Sequence, residues 1–238
     1  MSLLCGRLGT VLVVLLGAPR ALVAQSVPPL VDEVIEAYGG TAAIQALDTH
    51  RQEGMLVALN GGGHGEVVRI SKGIGSLSVL VAYPSGPEIR IVEQGRGWRG
   101  GSPQEMAEVQ GPLRLAMVAQ AARQYLPRLL ADHRERIVLL PPDADSALVL
   151  VLPVAQGLEL RMFVDPDTRY ITRTESVFTE MGGPFGFATD YSDFRDVDGV
   201  VFAFREETFA SGVHTASLVL SSVELNPPPM RARLPVRN

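Results

Sequence analysis

Cysteine and lysine are all but missing from this sequence: Cys5 and Lys72 each stand alone among 238 residues. A single cysteine cannot close an intramolecular disulfide, and Cys5 falls in a segment that reads as a cleavable leader, so the mature chain is left without thiol chemistry. One lysine means that the basic side chains are nearly all arginine, and no Schiff-base lysine stands out. Runs of basic residues are also absent and the formal charge is −5. Nucleic-acid affinity rests on clustered cations, so that partner class is argued against. No apolar run reaches the roughly 20 residues of a membrane-spanning helix. What remains is 46% hydrophobic and 20% charged, the balance of a globular chain long enough to bury a core without staples.

The first 24 residues carry Arg7, an apolar run from Leu8 to Ala18, Pro19 and a segment ending at Ala24. A basic start, a short apolar stretch and a small residue before the cut describe a secretory signal peptide, with an uncleaved anchor as the competing reading that the shortness of the run disfavours. Removing it takes away Arg7 and Arg20 and no acid, so the mature chain is two units more negative. Cys5 precedes the apolar run, and a lipid-modified cysteine would have to follow it. The expected organisation is a leader over 1–24, one domain over 25–226 and a loose Pro-rich tail over 227–238.

Helical spacing runs from Leu30 to Tyr38, with Gly39-Gly40 as the stop, and again from Thr41, a plausible N-cap, to Leu47. From Arg51 onward the period changes to two. Strands are expected at Arg51–Leu59, His64–Ser71, Ser76–Tyr83 and Glu88–Glu93, joined by Gly and Pro turns, which is the pattern of an antiparallel meander. A helical insert over about 102–133 follows, with Ser102 as N-cap before Pro103 and a second helix after Gly111-Pro112. The second β block has strands at Arg136–Leu140, Ser146–Leu152, Leu158–Val164, Tyr170–Phe178, Phe185–Phe194, Val200–Ala210 and Val213–Glu224. Asp198-Gly199 marks a tight hairpin. With no linker between the blocks, the expected fold is mainly β (α+β): one strongly curved antiparallel sheet, an incomplete β-barrel, wrapped around a few short helices.

Several motifs invite chemistry. Gly95-Arg-Gly-Trp-Arg-Gly100 has dinucleotide-site spacing but lacks the βαβ setting that gives it force; a strand-end turn presenting Trp98 to a cavity mouth or to the core fits better. Asp190, Asp193, Asp196 and Asp198 lack the oxygen ligand and the Glu that a calcium loop needs at Phe194 and Arg205, so strand edge and turn is the favoured reading. His50, His64, His133 and His214 are scattered without metal-site spacing. No cofactor or metal is called for, and no catalytic residue is assigned, although a hydrolase site assembled from distant residues is the third-ranked reading.

Three stretches carry a family likeness: Tyr38-Gly-Gly-Thr-Ala-Ala-Ile-Gln-Ala-Leu47 leading into Arg51-Gln-Glu-Gly54; Val164-Asp-Pro-Asp-Thr-Arg-Tyr-Ile-Thr-Arg173; and Asp190-Tyr-Ser-Asp-Phe-Arg-Asp-Val-Asp-Gly199. With them the chain resembles the LolA/LolB-type lipoprotein carriers, exported proteins labelled outer-membrane lipoprotein-sorting protein. The resemblance implies an incomplete antiparallel barrel around helices with an apolar cavity for acyl chains. The expectation is a soluble periplasmic, non-enzymatic carrier or chaperone that binds a lipid, acyl chain or lipoprotein and touches membranes only transiently. The alternative is a protein-binding module of an envelope assembly. Candidate cavity residues are Trp98, Met106, Leu113, Met117, Leu160, Met162, Phe185, Phe187, Phe202 and Phe204, each of which has core filling as its competing role.

Overall fold

The computed structural model describes residues 27–59, 61–73, 75–124, 126–140, 148–178 and 186–228. The expected leader, Phe185 and positions 229–238 of the expected tail lie outside the described residues.

Two short helices open the described chain, α1 (Val27–Ala37) and α2 (Gly40–Ala46). Six strands follow: β1 (Thr49–Ala58), β2 (Gly63–Lys72), β3 (Leu77–Tyr83), β4 (Gly86–Glu93), β5 (Arg96–Gly100) and β6 (Ala107–Val109). Then come α3 (Gly111–Arg123) and α4 (Leu126–Asp132). The second strand block is β7 (Val138–Leu139), β8 (Leu148–Ala155), β9 (Leu158–Val164), β10 (Ile171–Phe178), β11 (Gly186–Val197), β12 (Val200–Ala210) and β13 (Val213–Leu225).

The 13 strands of the described residues form one antiparallel sheet in the order β6-β5-β4-β3-β2-β1-β13-β12-β11-β10-β9-β8-β7. The chain therefore starts at the centre of the sheet and meanders outward to one edge. It then crosses to the other edge through α3 and α4 and meanders back, until β13 pairs with β1. β6 and β7 do not pair, so the barrel stays open. Because the crossing links the two edges of a curled sheet, its helices occupy the concave side. Their apolar residues and the inward parity of the strands close the core from both sides.

That core has two parts. Val31, Val34, Ile35 and Ile44 of α1 and α2, with Leu129 and Leu130 of α4, pack on Leu150, Leu152, Leu160, Met162 and Ile171. Leu115, Met117 and Val118 of α3 pack with Val67, Val79, Val81 and Val92 of the first block and with Phe202, Phe204 and Leu218.

The Asp198-Gly199 hairpin forms as the dipeptide predicts, with Val197 opposite Val200 and φ of 50° and 85° at the two turn residues. Both angles suit a type I′ turn. The α1–α2 junction docks on this hairpin: the Val201 N–H donates to the Tyr38 carbonyl at 3.1 Å. Gly39 has φ +118°, and a Cβ there would stand 1.9 Å from the Gly199 carbonyl oxygen. Gly39, not Thr41, occupies the N-cap of α2, and it offers no side-chain bond.

Two other local expectations are corrected. The segment after Ser102 is one 3₁₀ turn, Pro103–Glu105, followed by β6 rather than a helix to Val109. It carries too few apolar residues to hold a helix, and pairing with β5 satisfies its backbone instead. The Gly95–Gly100 motif is not a turn but mostly strand. The turn lies earlier, at Gln94-Gly95 with φ of 49° and 76°, so that Glu93 pairs with Arg96.

Candidate functional site

Alternation along the central strands aims Leu56 and Ala58 of β1, Val67 and Arg69 of β2, Val79 of β3 and Arg90 of β4 at the concave side. From the second block come Glu206, Thr208 and Ala210 of β12 and Leu218 of β13. α3 lies over them, and a cavity of about 480 Å³ remains between, completed by Leu113, Ala116, Met117, Gln120 and Arg123 of the helix and by Phe187 of β11. The start of α3 comes close to β5 and to the turn before it. A Cβ at Gly97 would meet Met117 Cε at 3.3 Å, and Arg114 Nη1 donates to the Gly95 carbonyl at 3.0 Å.

The walls are largely apolar, yet the floor is charged. Arg69 donates two hydrogen bonds to Glu206, Nη1 to Oε2 at 2.9 Å and Nη2 to Oε1 at 2.6 Å. Their side chains are only 3% and 7% exposed. Burial pushes the Glu206 carboxyl up, but the paired Arg69 and the field of Arg123 outweigh it and leave the group below the usual carboxylate range. Nearby, Glu88 receives Arg90 at 3.1 Å and Arg99 at 3.0 Å, and Arg90 Nη1 also donates to Gln120 Oε1 at 3.0 Å.

A smaller void of about 60 Å³ sits under the α1–α2 junction, lined by Tyr38, Tyr191, Phe202 and again Arg123. Tyr38 accepts the Ile171 N–H at 3.0 Å, and Tyr191 shares a 3.1 Å hydrogen bond with Thr174. Burial drives the Tyr191 hydroxyl up to about 12 and the Tyr38 hydroxyl further in the same direction. Beside this void His50 is buried against the Phe202 ring, centroids 5.4 Å apart. Desolvation, followed by the charge of Arg69, lowers its pKa to about 3, so the imidazole is neutral.

The sequence-predicted cavity residues are dispersed. Leu113, Met117 and Phe187 line the large cavity. Phe202 borders the small void, and Phe204 is buried in the core under the Arg195 guanidinium, 4.3 Å from its ring centroid. Leu160 and Met162 are fully buried beneath α1, α2 and α4. Met106 is half-buried next to β6 and does not border either space. Trp98 has the opposite parity to Gly97 and points to the convex side, where the Arg96 guanidinium lies 5.0 Å from its ring. Phe185 lies outside the described residues.

Arg69, Glu206 and Arg123 are site residues that the sequence reading does not single out, and it weighs His50 only as a metal ligand. Parity held a signal for two of them, since Glu206 continues the inward series Val200, Phe202, Phe204 and Arg69 sits between Val67 and Ser71.

The acidic run does not converge. Asp190 takes Arg173 at 2.6 Å, Asp193 takes Arg195, and Asp196 accepts the Gly199 N–H within the turn. On the convex side Glu207, His214 and Ser217 meet: Glu207 Oε2 lies 2.8 Å from His214 Nε2, and Ser217 Oγ lies 3.3 Å from the same nitrogen. A hydrolytic triad needs the acid on one ring nitrogen and the hydroxyl on the other. Here both share Nε2 and the serine also donates to the carboxylate, so the group is a cross-strand polar cluster.

The arrangement defines an open antiparallel half-barrel with helices on its concave side and a cavity beneath one of them. A LolA superfamily protein from Nitrosomonas europaea shares it, with a TM-score of 0.55 at 14% identity over 85% of this chain and 94% of that one. A DUF1329 family protein from Desulfovibrio piger superposes with a TM-score of 0.53 at 12% identity, covering 84% and 93%. An outer membrane lipoprotein-sorting protein domain from Vibrio parahaemolyticus gives a TM-score of 0.48 at 10% identity, covering 82% and 93%. No protein-family model and no curated sequence matches the chain. The likeness is one of fold: an open, LolA-like antiparallel half-barrel.

Proposed function

We propose that this protein is an exported, non-enzymatic carrier that shelters the acyl chain of a lipid or lipoprotein between the concave sheet and α3. The observation that carries this reading is the cavity of about 480 Å³ with walls of Leu56, Val67, Val79, Met117 and Leu218. That volume is within the roughly 300–1,000 Å³ of small-molecule sites. Each buried methylene contributes about 0.8 kcal/mol, so ten supply roughly 8 kcal/mol before the cost of immobilisation. Transfer then requires no covalent step. Among the described residues no helix is long and apolar enough to cross a membrane. On this reading residues 1–24 are an export leader that delivers a soluble protein to the periplasm, which N-terminal sequencing of the exported chain checks.

Native mass spectrometry of gently purified mature protein should show an apolar adduct that organic extraction removes. A chain that carries no adduct and takes up no hydrophobic probe refutes the carrier.

An envelope-assembly module is the second reading. It is supported by an apolar strip on the convex side, where Met55 is 41%, Leu59 48% and Val219 44% exposed. A pull-down from envelope extract that yields one stoichiometric protein, with an empty cavity, would favour it.

A further inference from the structure

The cavity of this acidic protein is electropositive. Four arginines, Arg69, Arg90, Arg99 and Arg123, border it against two glutamates, Glu88 and Glu206. Glu206 is saturated by the bidentate Arg69, and Glu88 is shared by Arg90 and Arg99. Arg123 is the remaining cation. Its Nε is buried without a hydrogen-bond partner, and no carboxylate pairs with it among the described residues. A guanidinium whose Nε lacks an acceptor, and which touches Glu206 only through its field, is costly in a partly dry space, and an incoming anion relieves it.

α3 adds direction. The side chains it turns toward the cavity are Leu113, Ala116, Met117, Gln120 and Arg123, spaced three or four apart on one helical face. The stripe is apolar over its first part and polar over its last, and it spans about 15 Å at the helical rise. The apolar end is open, with Leu113 43% exposed, whereas Gln124 beyond the other end is 8% exposed.

Resting on the carrier reading, we propose that the cargo is an anionic amphiphile. Its carboxylate or phosphate group binds Arg123 beside Gln120, and its hydrocarbon tail runs along Met117 and Ala116 toward Leu113.

The test is displacement of N-phenyl-1-naphthylamine, a neutral fluorescent probe, from the full mature chain at pH 8 by dodecanoate, dodecyl phosphate, dodecanol and inorganic phosphate. Both anionic amphiphiles are expected to displace at about tenfold lower concentration than dodecanol, the ordinary worth of a charge-assisted hydrogen bond. Whichever of the two is the tighter identifies the headgroup. Arg123→Gln should reduce the ratio of dodecanoate to dodecanol affinity about tenfold, and Arg123→Lys should restore part of it. Equal displacement by dodecanoate and dodecanol overturns the anionic cargo and leaves the carrier standing. So does an unchanged ratio in Arg123→Gln. Displacement by inorganic phosphate alone shows a free-anion site and overturns the amphiphile. A chain that binds neither the probe nor any amphiphile overturns both readings. The comparison of ligands on the wild-type protein decides the matter even if the Arg123 variants do not fold.

Discussion

Replacing Arg69 by Met leaves the Glu206 carboxylate in a dry, 7% exposed position with its bidentate partner gone. Breaking a buried pair from one side costs about 3–5 kcal/mol, because the stranded charge keeps its desolvation penalty. With a urea slope of roughly 2 kcal/mol/M, the unfolding midpoint should fall by about 2 M. The loss should also depend on pH. In the wild type the Glu206 pKa is depressed, so the pair's contribution is present above the unfolded carboxyl pKa and fades as pH falls. In Arg69→Met burial dominates and the folded pKa rises above the unfolded one, so the contribution reverses and is lost as pH rises. The gap between the two proteins should therefore widen from pH 4 to pH 7 in urea titrations followed by circular dichroism. The double variant Arg69→Met/Glu206→Leu should recover most of the stability, since an apolar pair of similar volume carries no desolvation penalty. A single variant that loses less than about 1 kcal/mol, or a gap that narrows toward pH 7, refutes the assignment of this pair as buried and dry.

Four further outcomes are expected. His50 titrates at about 3 when folded, so the unfolded chain binds a proton below about pH 6.5 that the native state refuses, and stability falls as pH drops toward 3. His50→Leu should lower the slope of stability against pH in that window by up to about 1.4 kcal/mol per pH unit, read from urea midpoints at several pH values. Gly39→Ala puts a methyl group 1.9 Å from the Gly199 carbonyl oxygen at a φ of +118°, and it should destabilise by more than about 2 kcal/mol in thermal melts. Ala116→Trp, which fills the cavity from α3, should abolish binding of an apolar probe while the far-ultraviolet dichroism stays unchanged. Trp98, the one tryptophan, faces the convex side, so its emission maximum should not move when the cavity is loaded.

Residues differ in how plainly their local sequence announces them. Asp198-Gly199 was legible because positive φ at two adjacent residues has a strong local signature, and β9 and β12 fall at Leu158–Val164 and Val200–Ala210 as their alternation predicts. β5 and β6 were not legible. Their formation depends on the backbone of an edge strand finding a partner, and Arg96–Gly100 looks like a loop until β4 and β6 flank it. Met162 and Met117 read alike as adaptable apolar side chains, yet one lies in a filled core and the other borders open space. The difference is set by which helix covers which half of the sheet. The glycine spacing suggests a strand-end turn that presents Trp98 to a cavity mouth or to the core, but the turn sits earlier, at Gln94-Gly95, and parity counted from it turns Trp98 to the convex side.

The sequence by itself determined the alternation of strand and turn, the helices at both sides of the first meander, the single cysteine at position 5 and the likeness to an open barrel. These follow from local period and turn chemistry, which act over a few residues. Only the tertiary structure decided that β1 and β13 join the two meanders, that Arg69 and Glu206, 137 residues apart, meet as a buried pair, and that a cavity remains beside α3 with the buried Arg123 Nε lacking a hydrogen-bond partner among the described residues. Those are long-range outcomes of how a curled sheet closes over its crossing helices, and no local pattern encodes the space that closure leaves.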